Sequence, residues 1–253
     1  MNDLLIVYPH GLGDCILLTP ALKAYFKKYN KKVALAMMER FKSAELLNSC
    51  PYISDILYTK DAWNDFANSH IGFQVVFQTS ALAAKKKGIE NVIMPMHREP
   101  KSKILLNAQF LDALDDNFDS HTEIYTTIEA IRKANEVVKE LVGDDEFGFI
   151  HSKTGLPTKD LPDNYGRNWL RENRGLNKFI EIGQEIEYND FNINIQFEIM
   201  RQAKAVCLAD SVFYHACGAM DKPVDFVYFG RGEGVYNRVK PVHNVVQNIV
   251  YRL

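Results

Sequence analysis

The sequence predicts an α/β protein of two doubly wound, parallel-sheet domains that face each other across a cleft. Three observations carry this. Short apolar runs rich in β-branched and aromatic residues alternate with segments of helical pattern along the chain. Residues 4–25 read as a buried strand, a glycine turn and an amphipathic run, the unit with which parallel α/β domains bring a ligand to a helix N-terminus. The pattern then restarts after the polar break Gly143-Asp144-Asp145. The expected domains are residues 1–143 and 144–253, with room for the last residues to pack back on the first domain.

Taken in order, residues 4–8 are too few for a helix and run straight into Pro9-His10-Gly11-Leu12-Gly13-Asp14. Gly11 and Gly13 are expected to allow positive φ and close backbone approach, so that a diphosphate or sugar can sit against unpaired N–H groups. No third glycine and no Gly-Lys-Ser/Thr follow, which excludes the dinucleotide fingerprint and the kinase-type loop. Residues 33–38 (VALAMM) and 53–58 read as strands, separated by a short helix over 43–48 that Cys50-Pro51 ends. Residues 63–69 are helical or loop-like, 73–78 (FQVVFQ) a fourth strand and 92–94 a candidate fifth. Two helices follow, over 104–114 and 122–141, the second with apolar positions Ile124, Ile128, Ile131, Val138 and Leu141.

Beyond the break, 147–151 is a strand feeding Ser152-Lys153-Thr154-Gly155. Residues 157–174, rich in Pro, Asn, Gly and Arg, read as loop with one helical turn at most. Strands over 179–182, 205–209 and 224–229 alternate with helices over 194–204 and 211–220.

Composition narrows the function. With 253 residues, 47% hydrophobic and 25% charged, the chain is an ordinary globular protein. A formal net charge of −2 gives no electrostatic case for nucleic acid. The lysines near residues 23–32 and 85–87 decorate helix ends, where cations suit the dipole. Cys15, Cys50, Cys207 and Cys217 are scattered, with no CxxC pair and no His at finger spacing, and are expected to be reduced and mostly buried. No Asp-x-Asp triplet occurs, so a metal-bridged diphosphate is not expected. With no secretory leader at the start and no apolar run of about 18 residues, the expectation is a cytoplasmic protein that at most touches the inner face of a membrane.

Gly11-Leu12-Gly13-Asp14 with Leu17-Leu18-Thr19-Pro20-Ala21-Leu22 resembles the N-terminal signature of the family 9 glycosyltransferases, the lipopolysaccharide heptosyltransferases and their relatives. Phe149-Ile150-His151 to Thr154 and Lys159-Asp160-Leu161-Pro162 are similar to the family's strand, Thr-rich loop and Lys-x-Trp-Pro element. Asp210-Ser211-Val212-Phe213-Tyr214-His215 resembles its Asp-Thr-Gly-x-x-His donor motif, and Lys222-Pro223 through Phe229-Gly230 its following strand and turn. The segment from Cys50 to Asp55 matches in character. Four elements agree in order across most of the chain, which is short for the family by about a quarter, mainly in the second half.

The resemblance implies the GT-B architecture, two Rossmann-like domains, and transfer of a sugar, heptose being the family's type, from a nucleotide-diphosphate donor with inversion and without a metal or other cofactor. The acceptor it implies is a glycan or lipid-linked molecule, a protein side chain being the rival. It casts Asp14 as general base, against the plainer reading of a carboxylate complementing a helix dipole. Lys159, otherwise a surface lysine, would neutralise the leaving diphosphate. Asp210 and Ser211 read as a plain helix cap, and equally as a donor-phosphate site. His215 would contact the donor, Thr154 the phosphates and Glu187 the ribose. Val212 stands where the family has glycine and Leu161 where it has tryptophan, and a helix expected after Gly183 is squeezed into 184–190. These departures favour the alternative of an inactive relative that binds a nucleotide, a glycan or a protein partner. Oligomeric state is left open.

Overall fold

The apolar runs of both halves form parallel sheets. The structure, a computed structural model, describes residues 4–96, 102–229 and 246–250. The chain divides into two units, Met1–Ser120 and His121–Leu253.

In the first unit β1 (Leu4–Val7), β2 (Val33–Met38), β3 (Ile53–Thr59) and β4 (Asn91–Ile93) form a four-stranded sheet in the order β3-β2-β1-β4, every pair parallel. β1 and β2 are apolar throughout and wholly buried, as strands covered on both faces must be. α1 (Leu12–Tyr29) follows β1 and ends on Asn30 in the left-handed region, with Lys27 and Lys28 in its last turn. Pro20 sits inside α1 and cannot donate to the Ile16 carbonyl one turn back; the Thr19 hydroxyl donates to that carbonyl instead, at 2.8 Å. α3 (Lys103–Phe110) packs on α1.

The expected strand over 73–78 is instead the middle of α2 (Ser69–Lys86). Its buried positions Gly72, Phe73, Val76, Ser80 and Ala84 recur at helical spacing, and Asn68 caps it by accepting from the His70 amide at 2.8 Å. Gly72 has no substitute here, because a Cβ would lie 2.2 Å from the Ala62 carbonyl oxygen. The short helix expected over 43–48 is a 3₁₀ turn at Glu39–Ala44, and residues 63–68 are turn and bend.

In the second unit β5 (Gly148–His151), β6 (Phe179–Glu181), β7 (Ala205–Ala209), β8 (Phe226–Tyr228) and β9 (Ile249–Val250) form a parallel sheet in the order β6-β5-β7-β8-β9. α4 (Ile128–Val142), α6 (Ile193–Gln202) and α7 (Val212–Ala219) flank it. α4 starts at Ile128 rather than at residue 122, because the Thr127 side chain caps it by accepting from the Ala130 amide at 3.1 Å. The unit boundary falls ahead of the expected break at Gly143: α4 packs on α6 and therefore belongs to the second unit.

The stretch read as loop over 157–174 holds a 3₁₀ turn at Pro157–Lys159 and a ten-residue helix, α5 (Tyr165–Arg174). Buried Gly166 and Leu170 dock α5 on β5 and β7, and Gly175 ends it in the left-handed region. Residues 184–190 are turns rather than a compressed helix. Gly230 and residues 251–253 lie outside the described residues, as does any packing of the last residues. The four cysteines are buried. Among the described residues no helix is long and apolar enough to cross a membrane.

Candidate functional site

Open parallel sheets bind ligands outside the carboxyl ends of their strands, where the winding reverses direction. In the first unit that point lies between β1 and β4, and in the second between β5 and β7. Gly11, Gly13 and Asp14 stand at the first of these places, and Asp210 and Ser211, with Lys159 paired to them, at the second.

At the first, β1 leads into fully buried Tyr8, and the chain passes through His10 to Gly11, the N-cap of α1. Gly11 has φ −63° and ψ 161°, extended backbone open to any residue, and Gly13 lies within the first turn of α1, so the expected positive φ is absent. Space is what Gly11 provides. Among the described residues a Cβ there would meet only the Asp14 carboxylate, at 3.9 Å from Oδ2. Asp14 lies in the first turn of α1, and its Oδ1 accepts from Lys103 Nζ at 2.5 Å, with the two side chains about one-fifth exposed. His10 Nε2 pairs with the Pro95 carbonyl beyond β4 at 3.1 Å, which makes Nε2 the protonated nitrogen. Burial lowers the pKa of His10, against opposing pulls from Asp14 and Pro95 and with a further push from Lys103, so the ring is neutral near pH 7.

At the second, β7 delivers Asp210, 1% exposed, and Ser211 to the start of α7. Lys159, on the 3₁₀ turn, donates to the Asp210 carbonyl at 3.1 Å and pairs with Asp210 Oδ2 at 3.2 Å. Ser211 occupies the N-cap position, but its side chain makes no cap bond; its buried Oγ has no hydrogen-bond partner among the described residues. The plain capping role read for it is therefore corrected. Val212 is the first helical residue of α7, and His215, buried, lies one turn further on with its ring 5.3 Å from that of Tyr214.

Thr154 is bound into its own loop: its amide and hydroxyl both reach Asp160 Oδ1, at 2.6 and 3.1 Å, and its hydroxyl also reaches the Leu156 carbonyl at 2.9 Å. Leu161, in the place of the family's tryptophan, is a core residue. Glu187 is exposed on the turn after Gly183, its amide donating to Asp190. The structure thus brings Lys159, Asp210 and Ser211 together.

Three features escaped it. One is Lys103. Another is His151 at the end of β5, 4% exposed between the rings of Phe213 at 4.5 Å and Tyr188 at 5.9 Å. Burial drives its pKa down to about 3, so the ring is neutral, and its Nδ1 has no hydrogen-bond partner among the described residues. The third is the pairing of Ser152 Oγ with Glu181 Oε1 at 2.5 Å, while Arg167 holds Glu181 Oε2 at 2.7 Å. A polar residue closing an apolar strand is the signal that points to His151; nothing local points to Lys103. Among the described residues no three His, Cys, Asp or Glu side chains are grouped to hold a metal ion. A groove of about 420 Å³ lies elsewhere, between β3 and α2, and includes none of these residues.

No protein-family profile matches the chain, and no curated protein matches it. Solved structures do. A glycosyl transferase family 9 protein from Veillonella parvula matches at TM-score 0.72 and 14% identity, over 98% of this chain and 86% of that one. The chain has the fold of the family 9 glycosyltransferases. ADP-heptose LPS heptosyltransferase II of E. coli follows at TM-score 0.70 and 9% identity, over 98% of this chain and 90% of its own. E. coli heptosyltransferase WaaC with ADP matches at TM-score 0.62 and 13% identity, over 97% and 92%. The iron-containing glycosyltransferase TibC of enterotoxigenic E. coli is more distant, at TM-score 0.54, and this chain spans 58% of it.

Proposed function

We propose that this protein is an inverting glycosyltransferase that moves a sugar from a nucleotide-diphosphate donor, without a metal, to a hydroxyl of a glycan, lipid-linked or protein acceptor. The observation that carries this reading is the pairing of Lys159 with Asp210 beside the start of α7, at the switch point of the second sheet. A cation and a helix N-terminus with a buried hydroxyl that has no partner among the described residues suit a diphosphate. The fold neighbours named for ADP and ADP-heptose make ADP-heptose the first donor to test.

In this reading the acceptor belongs to the first unit and the donor to the second. Asp14 takes the proton from the acceptor hydroxyl, whose oxygen forms a bond to the anomeric carbon on the face opposite the diphosphate. The bond from that carbon to the diphosphate oxygen breaks, and the nucleoside diphosphate leaves with the electron pair. Lys159 and the amides at the start of α7 meet the charge that develops. Asp210, tied to Lys159, holds that ammonium in place. In the same reading Thr154 meets the phosphates, Glu187 the ribose and His215 the donor. A lipid-linked acceptor brings the protein to the inner face of a membrane.

The test is donor consumption in EDTA, followed as nucleoside diphosphate released, with candidate acceptors added. Release that depends on an acceptor supports transfer. Donor binding with no release under any acceptor identifies instead a binding protein built on the same fold, the reading that Val212 favours. Loss of release in EDTA, restored by a divalent cation or iron, overturns the metal-free mechanism.

A further inference from the structure

β3 ends at Thr59, and the turn that follows it lies at the carboxyl edge of the first sheet, the side on which open parallel sheets take ligands. Trp63 in that turn is 50% exposed. One exposed apolar side chain is ordinary on a protein surface. This one is also fixed. Its indole N–H donates to the Pro9 carbonyl at 3.0 Å, and its ring meets that of Phe73 on α2 edge to face, with centroids 4.7 Å apart and planes at 88°. The turn is tied down by buried Asp61, whose carboxylate accepts from the amides of Trp63 and Asn64 at 2.9 and 3.3 Å and from the Asn64 side chain at 2.9 Å, and pairs with Arg40 Nε at 3.0 Å. Fully buried Ala62 seats the turn on α2 at Gly72, where a side chain would strike its carbonyl.

β2 lies between β1 and β3, so the bond to Pro9 carries the indole across the end of β2 to the turn that leads into α1 and Asp14. Because the N–H is already bonded, what the open half of Trp63 offers is ring surface. A rigid aromatic face held ready loses little freedom on binding, which is what an anchor needs. The chemistry around it selects the ligand. Arg40 and Asn64 are exposed, are both held by Asp61 and present N–H donors. Among the described residues from 60 to 68, Trp63 is the one exposed large apolar side chain, and Lys60, Asn64 and Asp65 are exposed beside it in the chain. A lipid surface would call for several apolar side chains among cations. A pyranose fits better, since the face carrying its axial hydrogens is apolar and packs on an indole, while its hydroxyls take polar partners at the edge.

We propose that Trp63 is the platform on which a pyranose ring of the acceptor stacks, with Arg40 and Asn64 donating to its hydroxyls. This rests on the transfer reading above and narrows the acceptor to a glycan, free or carried on a lipid.

The test uses the full chain carrying Trp169→Phe, which leaves Trp63 as the one tryptophan. It is titrated with the methyl pyranosides of glucose, galactose, mannose and N-acetylglucosamine. A saturable shift of Trp63 emission to the blue is expected with at least one of them, as water leaves the ring. No shift with any, or a shift with vesicles of anionic phospholipid alone, would overturn the platform. The second readout is ADP released from ADP-heptose, with the bound pyranoside or an oligosaccharide ending in it as acceptor. Trp63→Leu is expected to raise the acceptor KM about tenfold or more, the scale of truncating an aromatic anchor, with donor affinity unchanged. Trp63→Phe keeps an aromatic face, is expected to fall between Trp63→Leu and the wild type, and carries the test if Trp63→Leu does not fold. An unchanged KM in both variants would overturn the platform and leave transfer standing. A saturable shift in a chain that releases no ADP with any acceptor would overturn transfer and leave a glycan site at Trp63.

Discussion

At Asp14 two roles coincide, and one substitution separates them. A carboxylate in the first turn of α1 suits the helix dipole and also pairs with Lys103, so Asp14→Asn should cost about 1–3 kcal/mol of stability, the scale of one partly buried charge-assisted hydrogen bond. A general base does not survive the change, because an amide has no useful proton affinity. Transfer should fall by at least about 100-fold while donor affinity stays unchanged. A transfer assay beside a melting curve checks this; near wild-type transfer would reduce Asp14 to a helix-end carboxylate. Gly11 gives a second residue-scale expectation. Its extended backbone accepts a side chain and, among the described residues, a Cβ there meets only Asp14 Oδ2; valine at this N-cap position should cost about 1 kcal/mol of stability, yet it places bulk beside that oxygen. Acceptor KM should rise or transfer be lost; unchanged kinetics would show that no acceptor approaches there. Asp14 and Lys159 could be singled out in the sequence because each sits in a local motif. Lys103 could not, since it lies 89 residues from its partner and a single lysine at a helix start looks like surface.

At the scale of elements, β5 and α7 make opposite demands on their polar ends. His151 closes β5 inside the core with a pKa near 3, below its ordinary 6.5, so folding favours the neutral ring. The unfolded chain binds more protons between those values. The stability His151 contributes is therefore complete above about pH 6.5, declines as pH falls, and is gone near pH 3. His10, also lowered, acts in the same direction. Denaturant midpoints measured from pH 7 to pH 4 should fall less steeply in His151→Phe than in the wild type; equal slopes would contradict the burial argument. Ser211 at the start of α7 makes no cap bond, so Ser211→Ala should leave stability within about 0.5 kcal/mol and weaken a diphosphate instead. Element types were legible where burial and pattern agree, as in β1, β2 and α4. They failed where a short window admits two periods. FQVVFQ alternates like a strand, and only the longer register of Gly72, Phe73, Val76, Ser80 and Ala84 reveals α2. α5 was hidden because its turn residues sit at the two ends: Asn164 and Gly175, both in the left-handed region, enclose ten residues of regular helix.

For the whole molecule, the two parallel sheets and their winding were legible, because strands buried on both faces write themselves as continuous apolar runs. The boundary was displaced because Gly143 marks a helix end rather than a unit end, and the partner of α4 lies in the second half. A fragment of residues 121–253 should keep near-ultraviolet circular dichroism and unfold cooperatively. One of residues 144–253 should lose both, since removing α4 takes away Ala130, Ala134, Val137 and Val142, which are buried on folding. Equal cooperativity in the two fragments would restore the boundary to Gly143.

The central claim is that the second unit holds a nucleoside diphosphate by Lys159 and the start of α7. Calorimetric titration of the full chain with ADP and its sugar conjugates in EDTA, repeated with Lys159→Ala, tests it most directly. The account predicts measurable binding without a divalent ion, weakened in the variant by about 1.5–3 kcal/mol, the scale of one charge-assisted hydrogen bond. Binding of equal strength in the folded variant, or none to any nucleoside diphosphate in the folded wild type, would contradict it.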